Sequence, residues 1–313
     1  TGDAPVVVVG PGDTPQETIF PLLQSGSNTL VFIHPQHQTV FTNLSRFFSG
    51  GNRSLEVGTG DALVLALVDT PAGVSYKVEA SATINEELLM NVVGMIPGRR
   101  TDEFVLFSSH YDHIGIRPPV DGDSIANGAN DDASGTTAVV TLARYFAERG
   151  TPERTLLFAA FTAEEGGGYG SRHFSTQLNP DQIVAMFNIE MIGKPAVEGP
   201  NTAWLTGFER SSFGKLLQEA VAGTEYSFYP DPYPEQNLFY RSDNATLARL
   251  GVPAHSISTT PIDVDGDYHQ VSDHVETLDL IHMTNTIRAI AMGAERIISG
   301  DVTPTRVDPA TVN

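Results

Sequence analysis

The sequence predicts an α/β protein with a largely parallel sheet, preceded by a small accessory unit. From Tyr76 onward, strand-sized apolar runs alternate with segments of helical periodicity, which is the pattern of βαβ units. Residues 155–161 form a continuous apolar run, as expected of a central strand that is covered on both faces. A chain of 313 residues has room for about two domains, or for one large domain with an appendage. We therefore expect an accessory unit at 1–75, a main domain at 76–300 and a loose tail at 301–313.

The first 75 or so residues predict short strands and one helix. The apolar runs Val6–Val9, Thr29–Ile33 and 62–68 are strand-like, and residues 14–24 have helical character. No charged cluster with catalytic spacing occurs in this part of the sequence, and we expect His34 and His37 to be surface residues. This stretch is therefore interpreted as an accessory unit rather than as the site of chemistry.

The main domain is predicted to contain strands at 90–96, 104–108, 155–161, Ile183–Ile189 and Ala254–Ser258, and helices at 134–149, 211–222 and 278–298. The clearest helix is 134–149, because Ser134 can cap its start, Ala138 and Leu142 lie at helical spacing, and Gly150 ends it. The tail from Asp301 carries two prolines, which is the reason for expecting it to be loose.

Composition excludes several classes of protein. Eighteen basic residues against 38 acidic ones give a net charge of −20, which argues against binding nucleic acid or anionic lipid. The chain has no cysteine, so disulfides, thiolate zinc sites and cysteine nucleophiles are excluded, and His, Asp and Glu must hold any metal. No apolar run approaches the roughly 20 residues of a membrane span. We expect a periplasmic or secreted protein whose signal peptide is not part of this chain.

Side chains that bind metals or transfer protons cluster where the predicted strands end. In open α/β sheets, ligands bind just beyond the carboxyl ends of the strands. Five segments after strands, or before the long helix, carry His110 and Asp112, Asp131 and Asp132, Glu164 and Glu165, Glu190, and His269. Converging carboxylates repel one another unless a cation neutralises them. The convergence therefore predicts a metal site at this edge of the sheet.

The residue types indicate which metal. Imidazole and carboxylate ligands without sulfur suit Zn²⁺, with Co²⁺ or Mn²⁺ as substitutes. Two His and three carboxylates suffice for two ions that share one carboxylate. Of Glu164 and Glu165, whose side chains diverge, one can bind metal while the other acts as the general base. Asp112 lies two residues after His110 and can accept the second imidazole N–H, which fixes the tautomer.

These motifs resemble the co-catalytic zinc exopeptidases of metallopeptidase family twenty-eight. That family includes bacterial leucyl-type aminopeptidases and glutamate carboxypeptidase, with glutaminyl cyclases as relatives. The matching stretches are 91–98, 109–115, 128–135, 163–166, 188–193 and 268–269 with Asp273 beyond, and the resemblance covers about residues 85–300. It implies a three-layer α/β/α sandwich, phosphorylase/hydrolase-like, with a mixed, mostly parallel central sheet. More weakly, residues 5–35 resemble part of a protease-associated domain.

The resemblance also implies roles for individual residues. His110, Asp131, Glu165, Glu190 and His269 would be the ligands of two zinc ions, with Asp131 bridging and Glu164 as the base. The family more often has Asp where Glu190 stands, and the stretch ending at Asn244 usually ends in His. Tyr240 or Tyr268 could stabilise the oxyanion, or either could be an ordinary buried tyrosine.

The function predicted on this basis is hydrolysis of N-terminal peptide bonds in a peptide with a free N-terminus. A single-zinc glutaminyl cyclase, a carboxypeptidase of the same fold and a catalytically inactive binding module are the alternatives. We expect structural roles for His113 and the other unassigned histidines. Asp263, Asp265 and Asp267 superficially resemble a calcium loop, but its glycine position is wrong and Glu at position 12 is missing. The oligomeric state is left open.

Overall fold

The computed structural model describes residues 5–25, 28–49, 54–55, 62–69, 77–79, 81 and 83–312. The chain divides into two compact units, Thr1–Glu87 and Leu88–Asn313. The boundary therefore falls later than the one predicted between residues 75 and 76. Among the described helices, none is both long enough and apolar enough to cross a bilayer.

The N-terminal unit contains a three-stranded parallel sheet in the order β1–β2–β3. Its described elements are β1 (Val6–Val9), α1 (Pro15–Ser25), β2 (Thr29–Ile33), α2 (Gln38–Ser49) and β3 (Leu63–Leu67). Val9, Ile19, Val31 and Ile33 form its buried core. The second helix, α2, was not predicted. Its sequence is rich in β-branched, aromatic and polar residues of modest helix propensity, and it is held by packing of Phe41 and Leu44 against the core.

The second unit is built on a mixed sheet of seven strands, in the order β11–β10–β12–β9–β5–β8–β4. The strands are β4 (Val92–Ile96), β5 (Arg100–His110), β8 (Arg154–Phe161), β9 (Ile183–Ile189), β10 (Thr202–Leu205), β11 (Ser227–Pro230) and β12 (Ala254–Ser258). Only the β4–β8 and β10–β12 pairs of this sheet are antiparallel. A separate hairpin joins β6 (Gly115–Val120) to β7 (Asp123–Ala126). The predicted mixed, mostly parallel sheet is confirmed.

Helices cover both faces of this sheet. They are α3 (Ser134–Glu148), α4 (Tyr169–Ser175), α5 (Phe213–Ala220), α6 (Asn244–Ala248) and α7 (Leu280–Ile298). Phe107 and Phe158 face one core, to which α3, α5 and α7 contribute, whereas Leu106 and Leu157 face a second core, to which α4 and α6 contribute. Because neighbouring residues of a strand point to opposite faces, the two cores lie on opposite sides of one sheet. The predicted three-layer α/β/α sandwich is confirmed.

The prediction of a loose tail from Asp301 is wrong. Val307 and Val312 are buried in the core that α4 and α6 also line. The Arg210 guanidinium donates a 2.8 Å hydrogen bond to the carbonyl oxygen of Thr311. Prolines do exclude a continued helix here, but an irregular backbone can still be fixed when its apolar side chains are buried.

Three adjacent parallel strands bring the site together. β5 lies between β8 and β9, with His110 paired to Phe161 and Ser108 paired to Asn188. The carboxyl ends of these strands therefore share one edge of the sheet. Glu164 and Glu190 follow β8 and β9 within a few residues.

Candidate metal centre

Two groups of ligand atoms meet at this edge and share one carboxylate. His110, Asp131 and Glu190 form the first group, and His113, Asp131 and Glu165 form the second, with the ligand atoms of each group within 4.8 Å of one another. The Nε2 atom of His110 is 3.2 Å from Oδ1 of Asp131. Asp131, predicted to bridge two ions, is therefore the residue common to both groups.

His269 joins the second group from the other end of the chain. Its Nε2 atom is 3.3 Å from Oδ2 of Asp131 and 3.2 Å from Oε2 of Glu165. The structure thus brings together all five residues that the family resemblance singled out as ligands. The backbone φ of His269 is +57°, in the left-handed region that residues with a Cβ rarely adopt.

His113 is a site residue that the sequence analysis missed. Its Nδ1 atom lies 2.9 Å from Oε1 of Glu165 and 3.9 Å from Oδ2 of Asp131. The backbone of Gly128 closely approaches this imidazole, because a Cβ at Gly128 would lie 2.6 Å from Cγ of His113. Its position three residues after His110, just beyond a strand end, was the available signal. By itself this position does not predict a metal ligand, because an imidazole in a loop is common without a metal.

The loop before α3 is fixed by two buried aspartates that do not belong to either ligand group. Asp273 accepts hydrogen bonds from the backbone N–H groups of Asn130 and Asp131. Asp132 accepts from the backbone N–H groups of His110, Gly135 and Met191, at 3.3, 3.0 and 3.0 Å. Asp132 thus joins the ends of β5 and β9 to the start of α3.

Asp112 holds its neighbours through different atoms from those predicted. The Nδ1 atom of His110 is 3.0 Å from the main-chain carbonyl oxygen of Asp112, whereas the nearest carboxylate oxygen is 3.8 Å away. The carboxylate instead accepts from the backbone N–H groups of Glu164 and Glu165, at 3.0 and 3.3 Å. The His110 tautomer is still fixed, with Nε2 left as the atom that faces Asp131.

The electrostatics of the site fit a bound cation. Burial works to raise the pKa of Asp131, but the neighbouring imidazoles of His110 and His269 outweigh it and hold that pKa below its ordinary value. Burial and the charge of Glu190 raise the pKa of Glu164 to about 10. Nε2 of His110 and Oε1 of Glu165 are buried without a hydrogen-bond partner of regular geometry. Buried polar atoms ordinarily have partners, so these atoms are suited to metal ligation.

A largely apolar cavity opens beside Glu190. Met191, Trp204, Leu238 and Ile262 give it apolar walls, and Tyr268 also lines it. The Tyr268 hydroxyl accepts a 3.1 Å hydrogen bond from Arg241, and burial raises the pKa of Tyr268 to about 12. Tyr268 therefore keeps its proton and can donate it.

Tyr240 does not line this cavity. Its hydroxyl accepts a 2.8 Å hydrogen bond from Arg210 and lies 3.5 Å from the carbonyl oxygen of Thr311. Its ring packs against the core that α4 and α6 line. The position of Tyr240 therefore agrees with the alternative prediction, an ordinary buried tyrosine.

Comparison with known proteins agrees with this geometry. Residues 91–294 match peptidase family M28. Leucine aminopeptidase 1 of Penicillium rubens is 28% identical over 265 residues, which cover 77% of this chain and 66% of that protein. A probable zinc metalloprotease of Pyrenophora teres is 33% identical over 138 residues, covering 43% of this chain and 29% of that protein. This chain belongs to peptidase family M28, and the resemblance seen in the sequence is confirmed. It spans about two thirds of the length of the Penicillium relative.

Solved structures share the fold. The aminopeptidase from Aneurinibacillus sp. strain AM-1 superposes with a TM-score of 0.55 at 18% identity, covering 99% of this chain and 76% of that one. Glutaminyl cyclase of Porphyromonas gingivalis superposes with a TM-score of 0.50 at 18% identity, covering 68% and 77%.

Proposed function

We propose that this chain is a metal-dependent aminopeptidase that holds two zinc ions and hydrolyses the first peptide bond of a substrate. The observation that carries the proposal is the place of Asp131 in two ligand groups at once. Relatives named leucine aminopeptidase and zinc metalloprotease support the same activity.

The donor set suits two divalent ions. His110 and Glu190 would hold one ion, Glu165 and His269 the other, and Asp131 both, with Co²⁺ or Mn²⁺ as substitutes for Zn²⁺. When bound, such ions would polarise the scissile carbonyl and lower the pKa of the attacking water. His113 faces Glu165 and supports that carboxylate from the side.

Glu164 is the proposed general base. It lies three residues after the end of β8, and its backbone is fixed next to that of Glu165 by the Asp112 carboxylate. Because adjacent side chains diverge, Glu165 can face the ligand group while Glu164 faces the attacking water. Glu164 takes a proton from that water and passes it to the leaving amine.

The cavity beside Glu190 would receive the side chain of the N-terminal residue. Its walls of Met191, Trp204, Leu238 and Ile262 favour an apolar side chain. The Tyr268 hydroxyl, which accepts a hydrogen bond from Arg241, would donate a hydrogen bond to the developing oxyanion.

Glu164→Gln tests the proposal directly. We expect kcat on leucyl-p-nitroanilide to fall at least about 100-fold, the usual contribution of a general base, while metal analysis still finds two zinc ions per chain. Glu209→Gln is the matched control, because the Glu209 side chain is 76% exposed and belongs to neither ligand group. An active Glu164→Gln enzyme with its metals in place would remove Glu164 from the mechanism.

Metal content separates the competing functions. About two zinc ions per chain with hydrolysis support the aminopeptidase, whereas one zinc with cyclisation of N-terminal glutamine supports a glutaminyl cyclase. Cleavage of N-acylated peptides from the carboxyl end indicates a carboxypeptidase. Failure to bind zinc at all indicates a binding module. We retain the proposal of a periplasmic or secreted location, which cell fractionation tests.

A further inference from the structure

The acidic segment just before His269 contacts a lysine from another part of the chain. The ammonium group of Lys194 donates hydrogen bonds to Asp265 and to Asp267, the latter at 2.8 Å from Oδ2. The side chain of Asp265 is 2% exposed and that of Lys194 is 14% exposed. A largely buried cation therefore lies between two carboxylates that would otherwise repel each other.

This arrangement replaces the calcium loop that the spacing of the three aspartates superficially suggested. Asp263, the first of them, accepts a hydrogen bond from Gln236 instead of joining the cluster. The positive charge at the centre of the segment is a covalent part of the chain and arrives from a different loop. It can therefore connect two segments permanently, which a bound ion does only while it is bound.

The two segments that Lys194 connects both carry predicted metal ligands. Lys194 lies four residues after Glu190, and its carbonyl oxygen accepts a 2.6 Å hydrogen bond from Thr259. Asp267 lies two residues before His269, and its other carboxylate oxygen accepts a 2.7 Å hydrogen bond from Ser272. Lys194 and Ser272 thus hold the two carboxylate oxygens of Asp267, and this fixes the loop that carries His269.

His269 needs such support. Its backbone φ is +57°, and a residue with a Cβ keeps this conformation only where the surrounding structure holds it. The ring of Tyr268 stacks on the imidazole with 3.9 Å between centroids, but Tyr268 belongs to the same loop and moves with it. Lys194 supplies an anchor from outside the loop.

We propose that Lys194 is a positioning residue, which fixes the loop of His269 to the loop of Glu190 through Asp265 and Asp267 and so sets the geometry of the second ligand group. This inference rests on the proposed two-metal function. It assigns no ligand role to Lys194 itself.

The test is zinc affinity measured by competition with a chromophoric chelator, together with kcat, KM and thermal melting. In Lys194→Met we expect one of the two zinc ions to bind at least about tenfold less tightly, the usual cost of losing a residue that orients a ligand. The other zinc ion keeps its affinity, because His110 and Glu190 are untouched. Lys194→Arg, which keeps the charge, should restore most of the loss. Lys215→Met is the control, since the side chain of Lys215 is 61% exposed.

Asp267→Asn is a second variant that tests the inference even if Lys194→Met does not fold. It leaves the buried Lys194–Asp265 pair intact, and we expect the same selective loss of one zinc ion, at least about threefold. A purely structural role would lower the melting temperature and leave both zinc affinities within twofold of the parent, and that result overturns the inference. A parent protein that binds fewer than two zinc ions overturns the proposed function instead.

Discussion

Asp132→Asn probes how the ligand-bearing segments are held together. The Asp132 carboxylate is 1% exposed and accepts three backbone N–H groups, from His110, Gly135 and Met191. Asn has nearly the same shape, but one of its two terminal atoms is an N–H donor. Its amide oxygen can replace Oδ1 toward Gly135 and Met191, and its NH₂ group then faces the N–H of His110.

The expected cost follows from these contacts. Leaving the buried N–H of His110 without an acceptor costs about 1–3 kcal/mol. Burial raises the pKa of Asp132 well above its ordinary value, so no charge-assisted contribution is added for the hydrogen bonds to Gly135 and Met191. The free energy of unfolding is therefore expected to fall by about 1–3 kcal/mol, a substantial part of the roughly 5–15 kcal/mol of a typical domain.

Urea unfolding of the metal-free protein measures this change. Trp204 is the single tryptophan and is 3% exposed within the M28 unit, so its fluorescence reports that unit. Asp102→Asn, an exposed aspartate on β5, is the control and should change stability by less than about 0.5 kcal/mol. A value for Asp132→Asn within about 1 kcal/mol of the parent would refute the idea that this carboxylate joins the three segments.

Three further predictions follow from the site and its surroundings. His113→Ala should weaken zinc binding about 10–100-fold in chelator competition, because His113 supports Glu165; unchanged affinity would return His113 to a packing role. Asp112→Ala should lower kcat at least about tenfold with both zinc ions retained, because the Glu164 and Glu165 amides lose their acceptor; loss of metal in step with activity would contradict this. Burial lowers the pKa of His255 to about 4, so the folded state resists protonation. Its contribution to stability should fall by up to about 3 kcal/mol as the pH drops from about 6.5 to about 4. His255→Gln should be less stable at neutral pH but have a flatter pH profile in this window, and identical slopes in urea titrations would exclude the effect.

The proposed ligands could be found in the sequence because most of their signals are local. His110, Glu165 and Glu190 follow predicted strands, whereas Asp131 precedes the long helix and His269 lies in a loop beyond the last strand. The edge rule for α/β sheets groups such positions, and the family resemblance singled out these five as ligands. The absence of cysteine further limited the donors to imidazole and carboxylate. No knowledge of packing was needed for either step.

The residues that support the proposed ligands were harder to predict, because their roles depend on which of their atoms contacts the neighbouring residue. The choice between the carbonyl and the carboxylate of Asp112 is made by the backbone path after β5, which places the carboxylate under the Glu164 and Glu165 amides. Tyr240 and Tyr268 are equally plausible in sequence, yet only Tyr268 lines the cavity.

The sequence by itself indicated the family of this protein, the imidazole and carboxylate donors proposed for its site, five of the seven strands of the main sheet and the three longest helices of that unit. These are properties of short segments, where residue type and periodicity suffice. Only the tertiary structure decided that His113 joins the second ligand group, that the C-terminal valines are buried, and that Lys194 neutralises an acidic loop more than 70 residues away. Such contacts join residues with no local relation, so they are specified by the packing of the whole sheet and its two helical layers.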